Sequence, residues 1–244
     1  NKKECIDLKK ITEEITKDKT TDEEKIKSIF YWVKDNIKYV AFENGYEGFI
    51  PREADLVFER KFGDCKDMAN IIVSMAEYAN IKNVNLCWIG TREIPYSYSE
   101  LATPAVDNHM IAAYKKGEEY IFLDATDRET RYGLPTSFIQ GKEALINNGK
   151  DFKIIKVPVV TATENQVNDR VKLQIKNNKL IGNGKIEFNG FNRSMTLMQI
   201  GDASGKTRFE MIKSLVLKGN NKFNLNSSPP KVSSSKVKYL MLMN

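Results

Sequence analysis

The sequence predicts an α+β fold: a mixed core over about residues 1–160, then a smaller β-rich domain over about residues 165–244. Three observations predict it. Apolar residues recur at the helical period as far as Ala79, and strand-like runs follow from Asn83. From residue 165 the period drops to two, with Val171, Leu173 and Ile175 alternating with polar residues. The charge changes at the same place: residues 1–164 hold 24 basic and 28 acidic side chains, residues 165–244 hold 14 and 4.

Residues 3–17 form one amphipathic stripe through Cys5, Leu8, Ile11 and Ile15. Thr21 with Glu24 makes a capping box, and Ile26, Ile29, Phe30 and Val33 carry a second helix to about Asn36. Tyr31 and Trp32 lie off that stripe, to pack on neighbours or wall a cleft. Residues 38–42 are short and apolar, and residues 44–48 are a turn-rich loop. Pro51 suits the first position of a short helix through Phe58. A third long helix follows, with Met68, Ile71, Ile72, Met75, Ala76 and Ala79 on one face. Residues 83–89 read as a strand, and residues 90–108 as a long irregular segment, one wall of a cleft. A hairpin over residues 109–124 follows, then a polar turn over 125–136. Residues 142–147 read as a turn or two of helix, and residues 154–160, interrupted by Pro158, as an edge strand. In the second domain, residues 194–200 and 237–243 read as strands, 207–218 as a helix and 227–230 as a loop. The chain stops after its last strand without a polar tail, so this domain is read as open to continuing further.

The chemistry gathers at three residues. Cys65 follows Gly63-Asp64 and opens the third long helix. Asp64 caps that helix, with Asp67 three residues on. Unpaired N–H groups and the macrodipole there favour an anion, here a nucleophilic thiolate. The chain has one histidine, His109. With Lys116-Gly117 as a two-residue turn, Ala113 faces Tyr120 and His109 faces Asp124. Directly opposed residues share a face, so one hairpin would supply a base and the carboxylate that orients it. Each feature has a plainer explanation, since most free cysteines are small buried apolar residues and most lone histidines are structural. Their combination favours a catalytic set.

Gly63-Asp64-Cys65-Lys66-Asp67, Asn108-His109 and Tyr120–Thr126 together resemble the three motifs of the transglutaminase-like superfamily. The likeness covers about residues 20–160, and Ile50–Ala54 and Gly133-Leu134-Pro135 resemble a bacterial branch whose core lies between β-rich domains of unknown function. The resemblance implies a papain-like core with a Cys-His-Asp triad, here Cys65 as nucleophile, His109 as base and then acid, and Asp124 as orienter. It implies thiol acyl chemistry on an amide or peptide bond, by hydrolysis or by transfer to an amine, and export to the periplasm or cell surface. It does not name the substrate.

Other function classes are weaker. A catalytically idle protein- or glycan-binding module on the same fold is the alternative. The lysines of the basic second half are dispersed rather than interleaved with aromatics, so nucleic acid is not expected as a partner. The expected partner is a protein or peptide substrate. No apolar run approaches the length of a membrane span. Cys5, Cys65 and Cys87 are too few and too scattered for a disulfide framework or zinc site, and no metal or cofactor is expected. Gly201–Thr207, set between an expected strand and helix, resembles a phosphate-binding loop but has one residue too few between its glycines.

Overall fold

The apolar stripes near the start of the chain wind as helices α1 (Ile6–Thr16) and α2 (Asp22–Asn36). Thr21 caps α2 in a full capping box: its side chain accepts from Glu24 N, and Glu24 returns a carboxylate to Thr21 N. The computed structural model describes residues 5–41, 45–217, 223–225, 231–233 and 236–243. The expected apolar segment near Phe42 lies partly outside the described residues. Two-residue strands β1 (Lys38–Tyr39) and β2 (Phe62–Gly63) pair in parallel and flank α3 (Ala54–Arg60). That helix starts three residues later than Pro51 suggested. Glu53 is its N-cap, and Pro51 stays in the extended approach.

Helix α4 (Cys65–Tyr78) is the axis of the first unit. Every residue from Cys65 to Ala76 is buried, and α4 contacts α1, α2, α3 and three strands. Beside it lies a five-stranded antiparallel sheet of β3 (Val84–Ile89), β4 (His109–Lys116), β5 (Glu119–Leu123), β6 (Glu143–Asn148) and β7 (Asp151–Lys156). The order across the sheet is β5-β4-β3-β6-β7. Both faces are covered. Met110, Ala112 and Tyr114 join the helical core around Ile71, Ile72 and Met75. Ile111 and Ala113, of opposite parity on β4, join a second core with Cys87, Phe122, Ile139 and Ile146. Central strands buried on both faces read as continuous apolar runs, which is what residues 110–114 show.

Residues 143–148 correct an expectation. They form β6, not a helical turn, because Gly141 at φ +75° turns the chain and Leu145 pairs with Trp88 of β3. The edge strand expected over 154–160 runs instead over residues 151–156 and ends before Pro158. Tyr31 and Trp32 pack on neighbours: Tyr31 OH accepts from Tyr132 N at 3.2 Å, and Trp32 stacks on Phe58 at 6.1 Å.

The chain divides between Val159 and Val160 into two compact units. In the second, β8 (Val167–Lys176) and β9 (Lys179–Phe188) form a hairpin. Its turn residues Asn177 and Asn178 both have positive φ, as a primed turn demands. Helices α5 (Gly190–Ile200) and α6 (Gly205–Val216) follow, then β10 (Phe223–Leu225), β11 (Lys231–Ser233) and β12 (Lys236–Met243). The strands pair as β10-β12-β9-β8, with β11 also on β12, and a small core gathers Ile186, Phe188, Ile200, Ile212 and Val216. Residues 194–200 are helical rather than a strand. Their alternation of apolar and small polar residues misled: Ser194, Thr196 and Ile200 are buried while Met195 and Met198 face out. Gly201–Thr207 therefore joins two helices, and the strand that a phosphate-binding loop needs is not there. The expected loop at 227–230 lies outside the described residues. Among the described residues no helix is long and apolar enough to cross a membrane.

Both apolar clusters of the first unit lie within residues 8–157. Residues 1–159 expressed alone are expected to melt in one cooperative transition by circular dichroism. A fragment that stays collapsed without such a transition would show that the second unit completes the fold.

Candidate active site

The start of α4 is held by paired charges. Asp64 accepts from Lys66 N at 2.9 Å and from Asp67 N at 3.2 Å, and Asp67 accepts from Asp64 N at 3.0 Å. This is the capping box that the spacing predicts. Two cations complete it. Lys66 Nζ lies 2.9 Å from Asp64, and Arg52 Nη1 lies 2.6 Å from Asp67 and 3.5 Å from Asp64. Arg52 N donates to Asp67 at 2.8 Å, and Asn70 Nδ2 donates to Arg52 O at 2.8 Å. Both aspartates are fully buried, so each needs its cation and its N–H donors to offset lost hydration. Gly63 is required by the same packing, because a Cβ there would come 2.5 Å from Asp67 Cβ. Cys65 is thereby fixed as the first helical residue, and its N–H has no intrahelical carbonyl to reach.

His109 and Asp124 meet, but not by the expected register. The hairpin turns at Gly117-Glu118, with Lys116 opposite Glu119 and Ala112 opposite Leu123. Carried one residue on, Asp124 falls level with Ile111, not His109. Gly117 has φ +61°, as a primed turn with glycine first requires. The slip is two residues, so Asp124 keeps the face that His109 occupies. The two side chains meet diagonally, Nε2 to Oδ2 at 3.0 Å. Nδ1 is left as the second ring nitrogen.

Asp124 is saturated. Oδ2 also accepts from Thr136 Oγ1 at 2.7 Å, and Oδ1 accepts from Thr126 Oγ1 at 2.7 Å and Thr126 N at 3.2 Å. Phe138 packs edge-on to the His109 ring, with centroids 5.4 Å apart. The segment carrying these groups is tied back to α2, where Lys34 Nζ donates to Thr130 O. Thr126, Thr136, Phe138 and the Arg52–Lys66 pair were not singled out from the sequence. Thr126, two residues past Asp124, was within reach of a local-turn argument. Thr136 and Arg52 arrive through loops, and no spacing rule points to them.

Burial opposes a charged imidazole at His109, but the Asp124 charge and hydrogen bond outweigh it and raise its pKa above the ordinary value. Cys65 is close enough to add to the same effect. Burial would likewise raise the Asp124 carboxyl; His109 and the two threonines overturn that and hold it below the usual carboxylate range. Burial, then the charge of Asp107, pushes the Cys87 thiol up, away from thiolate. Cys5 is half-buried, and its backbone N donates to Tyr78 OH at 3.0 Å.

The segment at 90–108 is strapped down rather than open. Lys142 Nζ donates to Ile94 O at 2.6 Å and Tyr96 O at 3.2 Å, and Tyr98 N donates to Glu143 at 2.8 Å. The cavity beneath it is only ≈ 10 Å³, about one water.

Two predictions follow from these contacts. Gly63→Ala should displace Asp67 and lower stability by about 2 kcal/mol in urea unfolding, the usual scale of an overpacked core position. The second concerns pH. A raised histidine pKa gives stability that is complete below the unfolded value near 6.5 and lost as pH rises through the folded one. A lowered aspartate pKa gives stability present above about 4 and lost as pH falls toward the folded one. The stability gap between wild type and Asp124→Asn should therefore be widest between about pH 4 and 6.5. At its widest it should be about 2 kcal/mol, the scale of a charge-assisted hydrogen bond. Equal gaps across the range would show an uncharged pair.

Residues 9–83 match the model of the Transglutaminase-like superfamily, a span that includes Cys65 and stops short of His109 and Asp124. No curated protein matches the chain. Among solved structures, it resembles a protein of Parabacteroides distasonis described as a "putative protease", at 10% identity and TM-score 0.45, over 98% of this chain and 49% of that one. It also resembles a "putative cysteine protease" of Cytophaga hutchinsonii, at 17% identity and TM-score 0.34, over 49% of this chain and 37% of that one. The chain thus spans about half the length of the first. The model match supports a cysteine-based enzymatic role. Through residues 9–83, which place Cys65 at the head of α4, this chain resembles the transglutaminase-like superfamily.

Proposed function

We propose that the chain is a thiol acyl enzyme acting on a peptide or protein amide through a Cys65 thioester. The supporting observation is the buried His109–Asp124 pair at 3.0 Å, whose imidazole also feels Cys65 at the start of α4. Asp124 orients the ring and favours its charged form. Cys65 Sγ attacks the amide carbonyl carbon, and His109 holds the proton that the thiol gives up. In this reading the Cys65 N–H donates to the developing oxyanion. As the tetrahedral adduct collapses, the C–N bond breaks, His109 passes its proton to the departing amine, and the thioester remains. Water or a second amine then attacks the thioester, with His109 taking the attacking group's proton and returning it to sulfur. Hydrolysis and transfer share the first half of this cycle and differ only in who attacks next.

The chain's three cysteines make a direct test possible. Iodoacetamide at about pH 6, where an ordinary thiol is almost wholly protonated, should label Cys65 ahead of Cys5 and the wholly buried Cys87. Mass spectrometry of tryptic peptides reads the order. His109→Ala should abolish the preference, and Asp124→Ala should weaken it. Labelling of Cys65 that ignores His109 would sink the enzyme reading and favour an idle binding module.

A further inference from the structure

The sheet of the second unit ends on a strand of 10 residues, β8. It lies last in the order β10-β12-β9-β8, and among the described residues no strand lies on its outer side. On its inner side it pairs with β9 through the Asn177-Asn178 turn. Lys176 and Lys179 close that two-residue turn as a hydrogen-bonded pair, and the ladder alternates from there. Arg170, Lys172, Gln174 and Lys176 therefore turn their backbone groups toward β9, while Val171, Leu173 and Ile175 turn theirs outward. An edge of outward N–H and C=O groups is a template for one more strand.

The side chains of this edge alternate as strictly as its backbone. Arg170, Lys172, Gln174 and Lys176 fall on one face, and all four are exposed. Arg170 stands opposite Lys185 and Lys176 opposite Lys179, so the positive face continues onto β9. Glu187 shares that face and pairs with Lys185 at 2.9 Å. Val171, Leu173 and Ile175 fall on the other face. Val171 packs against the small core, but Leu173 and Ile175 are 53% and 79% exposed, and Ile175 stands opposite the exposed Leu180. Asp169 ends the apolar run. Over residues 170–176 the edge is thus basic on one face and apolar on the other.

A second copy of the strand fits this edge poorly. Antiparallel registers that overlap most of β8 and keep its apolar residues together set Arg170 on Arg170, Arg170 on Lys172, Lys172 on Lys172 or Arg170 on Lys176. Like charges directly opposite are destabilising, and cations on an edge strand guard it against self-association. That guard works by sign, so it inverts for a strand that carries carboxylates. An antiparallel strand of that kind meets Arg170, Lys172 and Lys176 at the non-hydrogen-bonded positions, where opposed side chains come closest. A polysaccharide or nucleic acid would meet the cations and leave Leu173, Ile175 and the outward backbone groups unmet.

We propose that β8 is a docking edge for an extended peptide segment whose residues alternate acidic and apolar, added antiparallel as a further strand of this sheet. Main-chain hydrogen bonds supply affinity. Carboxylates opposite Arg170, Lys172 and Lys176 select the sign of the partner, and its apolar side chains cover Leu173 and Ile175. The inference stands apart from the thiol acyl reading, since none of these residues belongs to the candidate active site.

The test titrates the full chain, by fluorescence polarisation, against a labelled acetyl peptide alternating Glu and Val. Controls are the same residues with all Glu in one block, an alternating Lys and Val peptide, and the Glu and Val peptide N-methylated either at every Val or at every Glu. The blocked and Lys peptides should bind about tenfold or more weakly. N-methylation at Val, whose N–H groups face β8, should cost about tenfold or more, and N-methylation at Glu far less. These peptides probe the edge without altering the protein. Arg170→Glu with Lys172→Glu changes exposed side chains, so the double variant should fold, and it should prefer the Lys peptide. Amide exchange at Val171, Leu173 and Ile175 should slow when the Glu peptide binds. Equal binding of alternating and blocked Glu peptides, or indifference to the site of N-methylation, would reduce the face to a nonspecific anion surface and overturn the proposal. Absence of binding, or capture of heparin without preference among the peptides, would do the same. A concentration-dependent dimer that excludes the peptide and that Ile175→Lys dissolves would assign the edge to a second copy of the chain and overturn it as well.

Discussion

Two buried carboxylates, Asp64 and Asp67, decide where the candidate nucleophile stands. Each caps the helix that the other helps to start; Lys66 pairs with Asp64, and Arg52 reaches both carboxylates. Taking four charges out of water costs several kcal/mol per ion, and their mutual attraction roughly offsets it. The cluster therefore contributes little net stability. What it supplies is uniqueness, because a shift of one residue at the helix start would strand a buried charge. Cys65 sits inside this constraint, and Arg52 is tied into it through its backbone N, its Nη1 and its backbone O.

The second constraint is the pairing of His109 with Asp124. Here the sheet supplies position and the threonines supply charge preference. Strand β4 pairs with β5 only from Ala112 on, and His109 is held from the β3 side, opposite Ile89. Asp124 lies just past the end of β5, where the backbone no longer pairs and Thr126 N can turn to its carboxylate. A carboxylate that accepts four hydrogen bonds stays charged even when buried, and a charged carboxylate holds its imidazole partner charged.

Local physics was legible in the chain, and pairing geometry less so. The capping boxes at Thr21 and Asp64 were readable because they close over three residues, whatever the rest of the chain does. The Lys116-Gly117 turn was misplaced by one residue, since a glycine serves either central position and only the backbone tells which. That error moved the register by two and spared the face, so His109 and Asp124 still met. Residues 143–148 and 194–200 were misread for one shared reason: short mixed runs fit both periods, and tertiary partners choose. Arg52, Thr136 and Phe138 were out of reach because loops bring them to the site from 13 residues before Cys65 and up to 14 after Asp124.

Asp124 holds His109 in its charged form despite burial. With one histidine in the chain, a nitrogen-labelled imidazole gives a single set of resonances to follow with pH. The midpoint should lie above the ordinary value of about 6.5 and fall when Asp124 is replaced by Asn. A midpoint at or below the ordinary value in the wild-type chain, or one indifferent to Asp124→Asn, would contradict it.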